Sequence, residues 1–339
     1  MKPSNFGGIV SFYFSKQIFL SLFLLHHLEN VKFQIVRGIR RPQNGVVCRL
    51  GAVFHLAEAL VAAWTRRVAS QFDEKKGFSK KDMAANFAAI AADFAAVPVT
   101  YTPKVKVGVV GEIYVKYSPL GNNNLEQFLH GEDCEVNLPG LMGFVQYCVA
   151  NMAETVRLYG GSKLLELGSD TLMSWLTVRE KLMIAAIKKH PQFHAPTLFL
   201  DTKKMADGIL GIGNKMGEGW LLTAEMVELI QHYKVNNIVC TQPFGCLPNH
   251  ICGKGVMRVI KEKNPQANIV AVDYDSSASK VNQQNRIKLM LANARLIEQT
   301  SQQPKQGNTP AAPQQETVAA APQRREQAVA KENFAAAQN

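Results

Sequence analysis

The sequence contains little cysteine, no basic run interleaved with aromatic residues and no recognisable secretory cleavage site. Six cysteines in 339 residues exclude the disulfide framework of a small secreted domain, so we expect reduced thiols and a cytoplasmic protein. The net charge of +11 comes from scattered residues, with no Lys/Arg-rich run interleaved with aromatic residues. Nucleic-acid binding is therefore not expected, and attraction of an anionic small ligand accounts for the charge equally well.

One apolar stretch, residues 9–28, approaches the length of a membrane span. A spanning helix needs about 20 apolar residues. Lys16 lies near the middle of this stretch, and a lysine there costs roughly 2.5–3.5 kcal/mol on insertion. We therefore expect a buried or disordered segment and no membrane association.

Composition divides the chain into four parts. Residues 1–50 form a poorly defined apolar and basic segment, and residues 51–102 form a helical region. Strands and helices then alternate over residues 103–298, and residues 299–339 form a Gln/Ala/Pro-rich tail without large apolar residues. Such a tail cannot build a core, so we expect it to be disordered and removable by limited proteolysis.

The central part predicts an α/β fold with one mainly parallel sheet of βαβ units. The loops at 111–124, 240–255 and 273–279 should then lie on one edge of that sheet. The predicted strands are 105–111, 134–138, 236–240 and 267–273.

The segment 240–255, CTQPFGCLPNHICGKG, follows the third predicted strand. It carries three cysteines, at positions 240, 246 and 252. Ligands of open α/β sheets bind at the carboxyl ends of strands, and thiolates there suit soft metals and iron–sulfur clusters. The spacing is neither that of a zinc ribbon nor that of a ferredoxin, so buried structural thiols remain the alternative. We expect Cys134 and Cys148, which lie in or beside regular elements, to belong to the core.

Two glycine-rich segments, 213–219 and 253–255, precede predicted helices. Neither has phosphate-loop spacing, but free N–H groups at a helix start can hold an anion. Glu218 has a simpler interpretation, as a first-turn charge that faces the helix dipole.

Four blocks of sequence carry a resemblance to a known family. Together they resemble the carboxyl-terminal part of the large activase-related proteins of the 2-hydroxyacyl-CoA dehydratase system. The resemblance covers about residues 103–295. The blocks are 111–129, 213–230, 240–255 and 267–292.

This resemblance implies a domain like the dehydratase β-subunit and an iron–sulfur cluster, of the 4Fe-4S kind, held on cysteines. Family members work in anaerobes, where an ATPase activator passes one low-potential electron to the dehydratase component, which removes water from a 2-hydroxyacyl-CoA through a ketyl radical. Cys240 and Cys246 match the family's cysteine positions and become the expected metal ligands. His250 becomes a further cofactor-binding candidate, with a packing role as its alternative, whereas Cys252 matches no family cysteine. An acyl-CoA is an expected ligand.

The sequence departs from the family pattern in its first hundred residues. They contain neither the ATPase module nor the Cys-Phe/Tyr-Pro-x-Lys block, and Cys48 does not match. We therefore expect a separated or truncated carboxyl-terminal half, without ATPase activity of its own, whose partner is the ATPase activator or the upstream dehydratase-like half. The alternative is a non-catalytic scaffold subunit that has lost its cluster. A flavodoxin-like nucleotide-binding protein is less consistent, because 111–124 lacks a phosphate loop.

Overall fold

The computed structural model describes residues 47–74, 76–77, 79–98, 103–275 and 278–302. Two predicted segments lie outside the described residues, namely the apolar stretch 9–28 and residues 303–339 of the tail. The side chain of Cys48 is not described either. No helix within the described ranges is long and apolar enough to cross a membrane.

The centre of the fold is a sheet of four parallel strands in the order β2-β1-β3-β4. All neighbouring pairs run parallel, so the predicted α/β class is confirmed. The strands consist mostly of buried residues, as expected for a sheet covered on both faces. They are β1 Val105–Gly111, β2 Cys134–Asn137, β3 Asn237–Pro243 and β4 Asn268–Tyr274.

The third strand is longer than its sequence suggests. The prediction ended it at Cys240, but β3 pairs with β4 as far as Pro243 and Tyr274. The chain passes from β1 to β2 on one side and later returns to β3 on the other. The carboxyl ends of β1 and β3 therefore form a topological switch point, where open α/β sheets bind ligands.

Helices cover both faces of the sheet and form a separate apolar cluster. The predicted helical region 51–102 contains two helices, of which the first already begins at Val47. Ser79 caps the second by accepting a hydrogen bond from the Asp82 N–H at 3.0 Å. In chain order the helices are α1 Val47–Asp73, α2 Lys80–Ala95, α3 Ile113–Tyr117, α4 Leu125–Gly131, α5 Leu141–Tyr159, α6 Lys163–Ile187, α7 Phe199–Lys204, α8 Gly219–Gln231, α9 Leu247–Asn249, α10 Met257–Lys263 and α11 Lys280–Gln302, with a π-helical turn at His250–Lys254.

Three apolar clusters hold these layers together. One joins the long helices and contains one face of α2, namely Met83, Phe87, Ile90 and Phe94. The second joins α4 and α11 to one face of the sheet. The third packs α8 and α10 against the other face, and it includes Cys240.

Candidate functional site

Glu218 joins three loops at the carboxyl edge of the sheet. The Ile113 N–H, which follows β1, donates to its Oε1 at 3.1 Å. The Asn249 side-chain amide, which follows β3, donates to its Oε2 at 3.2 Å. Glu218 is buried and makes no side-chain cap to its own helix α8. Glu218 therefore links loops, a role that the dipole interpretation does not include, and that interpretation stays a prediction.

Cys246 lies at this link. The Asn249 Nδ2 that binds Glu218 also donates to the Cys246 Sγ at 3.1 Å. Asn249 is fully buried, whereas Cys246 is half-buried and reaches the surface. A buried carboxylate thus orients an amide, and the amide orients a thiol.

The other two cysteines of this segment, Cys240 and Cys252, are buried. Cys240 is fully buried within β3, and a Cβ added to Gly253 would lie 2.9 Å from its Sγ. Burial first, and the nearby charge of Glu225 second, raise the pKa of Cys240 to about 12. Burial raises the pKa of Cys252 to about 11. Both thiols are protonated at neutral pH, and their metal-binding or structural role stays a prediction.

His250 contacts the backbone of Cys246 and not its sulfur. Its Nδ1 lies 2.9 Å from the Cys246 carbonyl oxygen, which only accepts, so Nδ1 carries the proton. Its Nε2 then accepts from the Gln242 amide at 3.3 Å. The same amide donates to Asp273 at 2.5 Å. Because both ring nitrogens have protein partners, His250 fixes the shape of the loop in this arrangement.

Cys148 is the residue at this edge that sequence reasoning missed. It was expected in the core, but it is exposed on α5. Local burial first, and then the charge of Glu218, raise the pKa of its thiol, so it lies within electrostatic range of the Glu218 carboxylate. The helical pattern contained the signal, because position 148 lies off the buried stripe formed by Met142, Gln146, Val149, Ala153 and Val156.

A buried ion pair lies beneath the same edge. The Lys116 ammonium lies 3.1 Å from both carboxylate oxygens of Glu225, and each residue is only 3% exposed. Burial raises the pKa of Glu225, and Lys116 opposes part of that rise. The pair joins α3 to α8 and so fixes the segment after β1 against the helix that follows Glu218.

The described residues do not by themselves complete a metal site. No group of three or more His, Cys, Asp or Glu side chains in this part of the chain is arranged to hold a metal ion. A cubane cluster usually needs four ligand positions. Comparisons of this chain with family models, with curated proteins and with solved structures find no match.

Proposed function

We propose that this chain contributes thiols to an iron–sulfur site that it shares with a partner, in a cytoplasmic complex related to the 2-hydroxyacyl-CoA dehydratases and their activases. The observation that carries the proposal is the orientation of Cys246 at the switch point. Its sulfur accepts a hydrogen bond from Asn249 at 3.1 Å, so the thiol is held in one orientation at a half-buried position that reaches the surface.

Cys148 is the second thiol that we assign to this edge. It is exposed on α5 and so accessible to a partner, whereas the Glu218 charge raises the pKa of its thiol and opposes ionisation. Two thiols leave two positions of a four-ligand cluster to be supplied by another chain. The fully buried Cys240, although it matches the family position, is the weaker candidate because its sulfur is packed against Gly253.

The surroundings of Cys246 suit a partner surface. Phe244 and Leu247 flank it in sequence and are 74% and 68% exposed. Met216, in the loop that leads to Glu218, is exposed as well. Exposed large apolar side chains that gather around a polar site are typical of protein interfaces. The partner we propose is the upstream dehydratase-like half or the ATPase activator, and the low-potential electron transfer or acyl-CoA dehydration belongs to that complex.

The scaffold alternative is favoured by one observation, the lack of a three-ligand group among the described residues. An anaerobic co-expression with the chain that carries the ATPase module and the upstream half distinguishes the two. Iron content and charge-transfer absorption would be measured for the wild type, Cys246→Ser, Cys148→Ser and, as a matched control, Cys252→Ser. We expect the complex to hold iron, Cys246→Ser and Cys148→Ser to lose most of it, and Cys252→Ser to retain it. A stable complex without iron would establish the scaffold function, and equal loss in all three variants would contradict our ligand assignment.

A further inference from the structure

A second candidate site is a partly open cavity at the carboxyl end of β2. Its walls come from the β2–α5 connection, from α6, from the segment before α7 and from α8. Its volume is about 70 Å³, which is room for several water molecules or one small organic molecule. None of the cysteines of the first site lines it.

The cavity is lined by acidic groups without a basic counterpart. Glu180, Glu225 and Glu228 all line it, and no Lys, Arg or His is among the described residues that do. Lys116 neutralises Glu225 from outside the cavity. Glu180 and Glu228 have no such ion pair among the described contacts, and burial raises the pKa of each to about 7. Above a pH of about 7, where both groups are ionised, a bound cation would compensate these two carboxylates.

An amide that lines the same cavity requires an acceptor. Asn137, the last residue of β2, lines the cavity and is only 7% exposed. Its Nδ2 has no hydrogen-bond partner among the described residues. A buried donor without a partner destabilises the fold, and a ligand oxygen in the cavity would supply the missing acceptor. This amide is an observation independent of the carboxyl groups.

The remaining walls favour an organic cation over a metal ion. Phe199, Leu221 and Tyr233 contribute apolar and aromatic surface. Such a surface suits alkyl groups, and the faces of aromatic rings attract ammonium ions. No described group of three or more His, Cys, Asp or Glu residues is arranged for a metal. We propose that this cavity binds a small organic ammonium compound that also carries a hydrogen-bond acceptor. The ammonium lies against Glu228 and Glu180, and the acceptor receives the Asn137 Nδ2–H.

Three fragments test this on the full chain. Ethanolammonium has both the charge and the oxygen, ethylammonium lacks the oxygen, and ethylene glycol lacks the charge. Amide chemical shifts of Gly140, Gly143 and Phe199, which line the cavity, would be followed by NMR during titration. We expect ethanolammonium to bind at least about tenfold more tightly than ethylene glycol and about fivefold more tightly than ethylammonium.

Two variants assign the groups, with Glu262→Gln on the exposed face of α10 as control. Asn137→Ala should abolish the difference between ethanolammonium and ethylammonium, whereas Glu228→Gln should weaken both amines about equally. Equal binding of all three fragments to the wild type, or no binding, would overturn the proposal and leave a cavity filled by water. The comparison of the three fragments uses the wild type alone, so it does not depend on whether a variant folds. Retention of the fivefold difference in Asn137→Ala would refute the role of this amide.

Discussion

The environment of Glu180 predicts how stability changes with pH. Its side chain is 6% exposed and accepts hydrogen bonds from the Phe199 N–H at 2.8 Å and from the Gln146 amide at 3.1 Å. These bonds favour the ionised form, but burial outweighs them and raises the pKa from 4.5 to about 7. The folded protein therefore holds a proton on Glu180 over a range in which the unfolded chain has lost it.

The sign follows from proton binding. Between pH 4.5 and about 7 the folded state binds more protons than the unfolded state at this residue, so the free energy of unfolding falls as pH rises. One pH unit corresponds to about 1.4 kcal/mol. The whole interval therefore gives a loss of at most about 3.5 kcal/mol by pH 8.

The variant Glu180→Gln removes this titration and keeps the size of the side chain. Its oxygen can accept from Phe199, and the Gln146 amide must reverse so that its own oxygen faces the new NH₂ group. Urea unfolding at pH 5 and pH 8, followed by circular dichroism, should show a pH-dependent loss smaller than that of the wild type by about 2–3 kcal/mol. At pH 8 the variant should be the more stable protein.

Glu262→Gln, at an exposed position, is the control and should retain the pH dependence of the wild type. If Glu180→Gln retains it as well, the carboxyl group is ionised in the folded state and the reasoning fails.

Two further predictions concern buried contacts. Lys116→Met leaves the Glu225 carboxylate buried without its cation and should cost about 3–5 kcal/mol of unfolding free energy in urea; adding Glu225→Leu should restore most of it, and a single variant as stable as the wild type would contradict the pairing. Gly253→Ala places a Cβ 2.9 Å from the Cys240 Sγ and should cost about 1–3 kcal/mol. Because Cys240→Ala removes that sulfur, a double-mutant cycle should show a coupling above about 0.5 kcal/mol, and strict additivity would place Cys240 elsewhere.

Local sequence was sufficient for the elements of the sheet. Three of the four strands, β1, β3 and β4, are short runs with several β-branched residues, and the helices between strands leave parallel pairing as the natural arrangement. The run Val105–Gly111 was predicted with the bounds that the structure has. The end of β3 was predicted three residues early. Thr241 pairs with both β1 and β4, whereas Gln242 and Pro243 pair only with β4, and neither Gln nor Pro is typical of a buried strand.

The resemblance to a dehydratase family and the expected cluster come from sequence blocks, and the iron experiment above is their test. The sequence motif selected Cys240 and Cys246 as metal ligands. The tertiary structure shows which thiols a partner can reach, since Cys240 is buried and Cys148 is exposed. A cysteine in a core and a cysteine in a metal site can occur in the same kind of sequence, because the residue is both small and apolar and a possible metal ligand. Only its neighbours on other elements separate the two roles.

The amino-acid sequence by itself therefore determined the α/β class, the strands and the loops at the switch point, because these depend on patterns within about ten neighbouring residues. Only the tertiary structure decided the contacts that give the sites their chemistry. The amide that orients Cys246 depends on Glu218, 31 positions from Asn249. The acidic cavity joins Asn137, Glu180 and Glu228 from three elements. Their burial, and hence their pKa values and unpartnered atoms, arises from packing between segments that no local pattern connects.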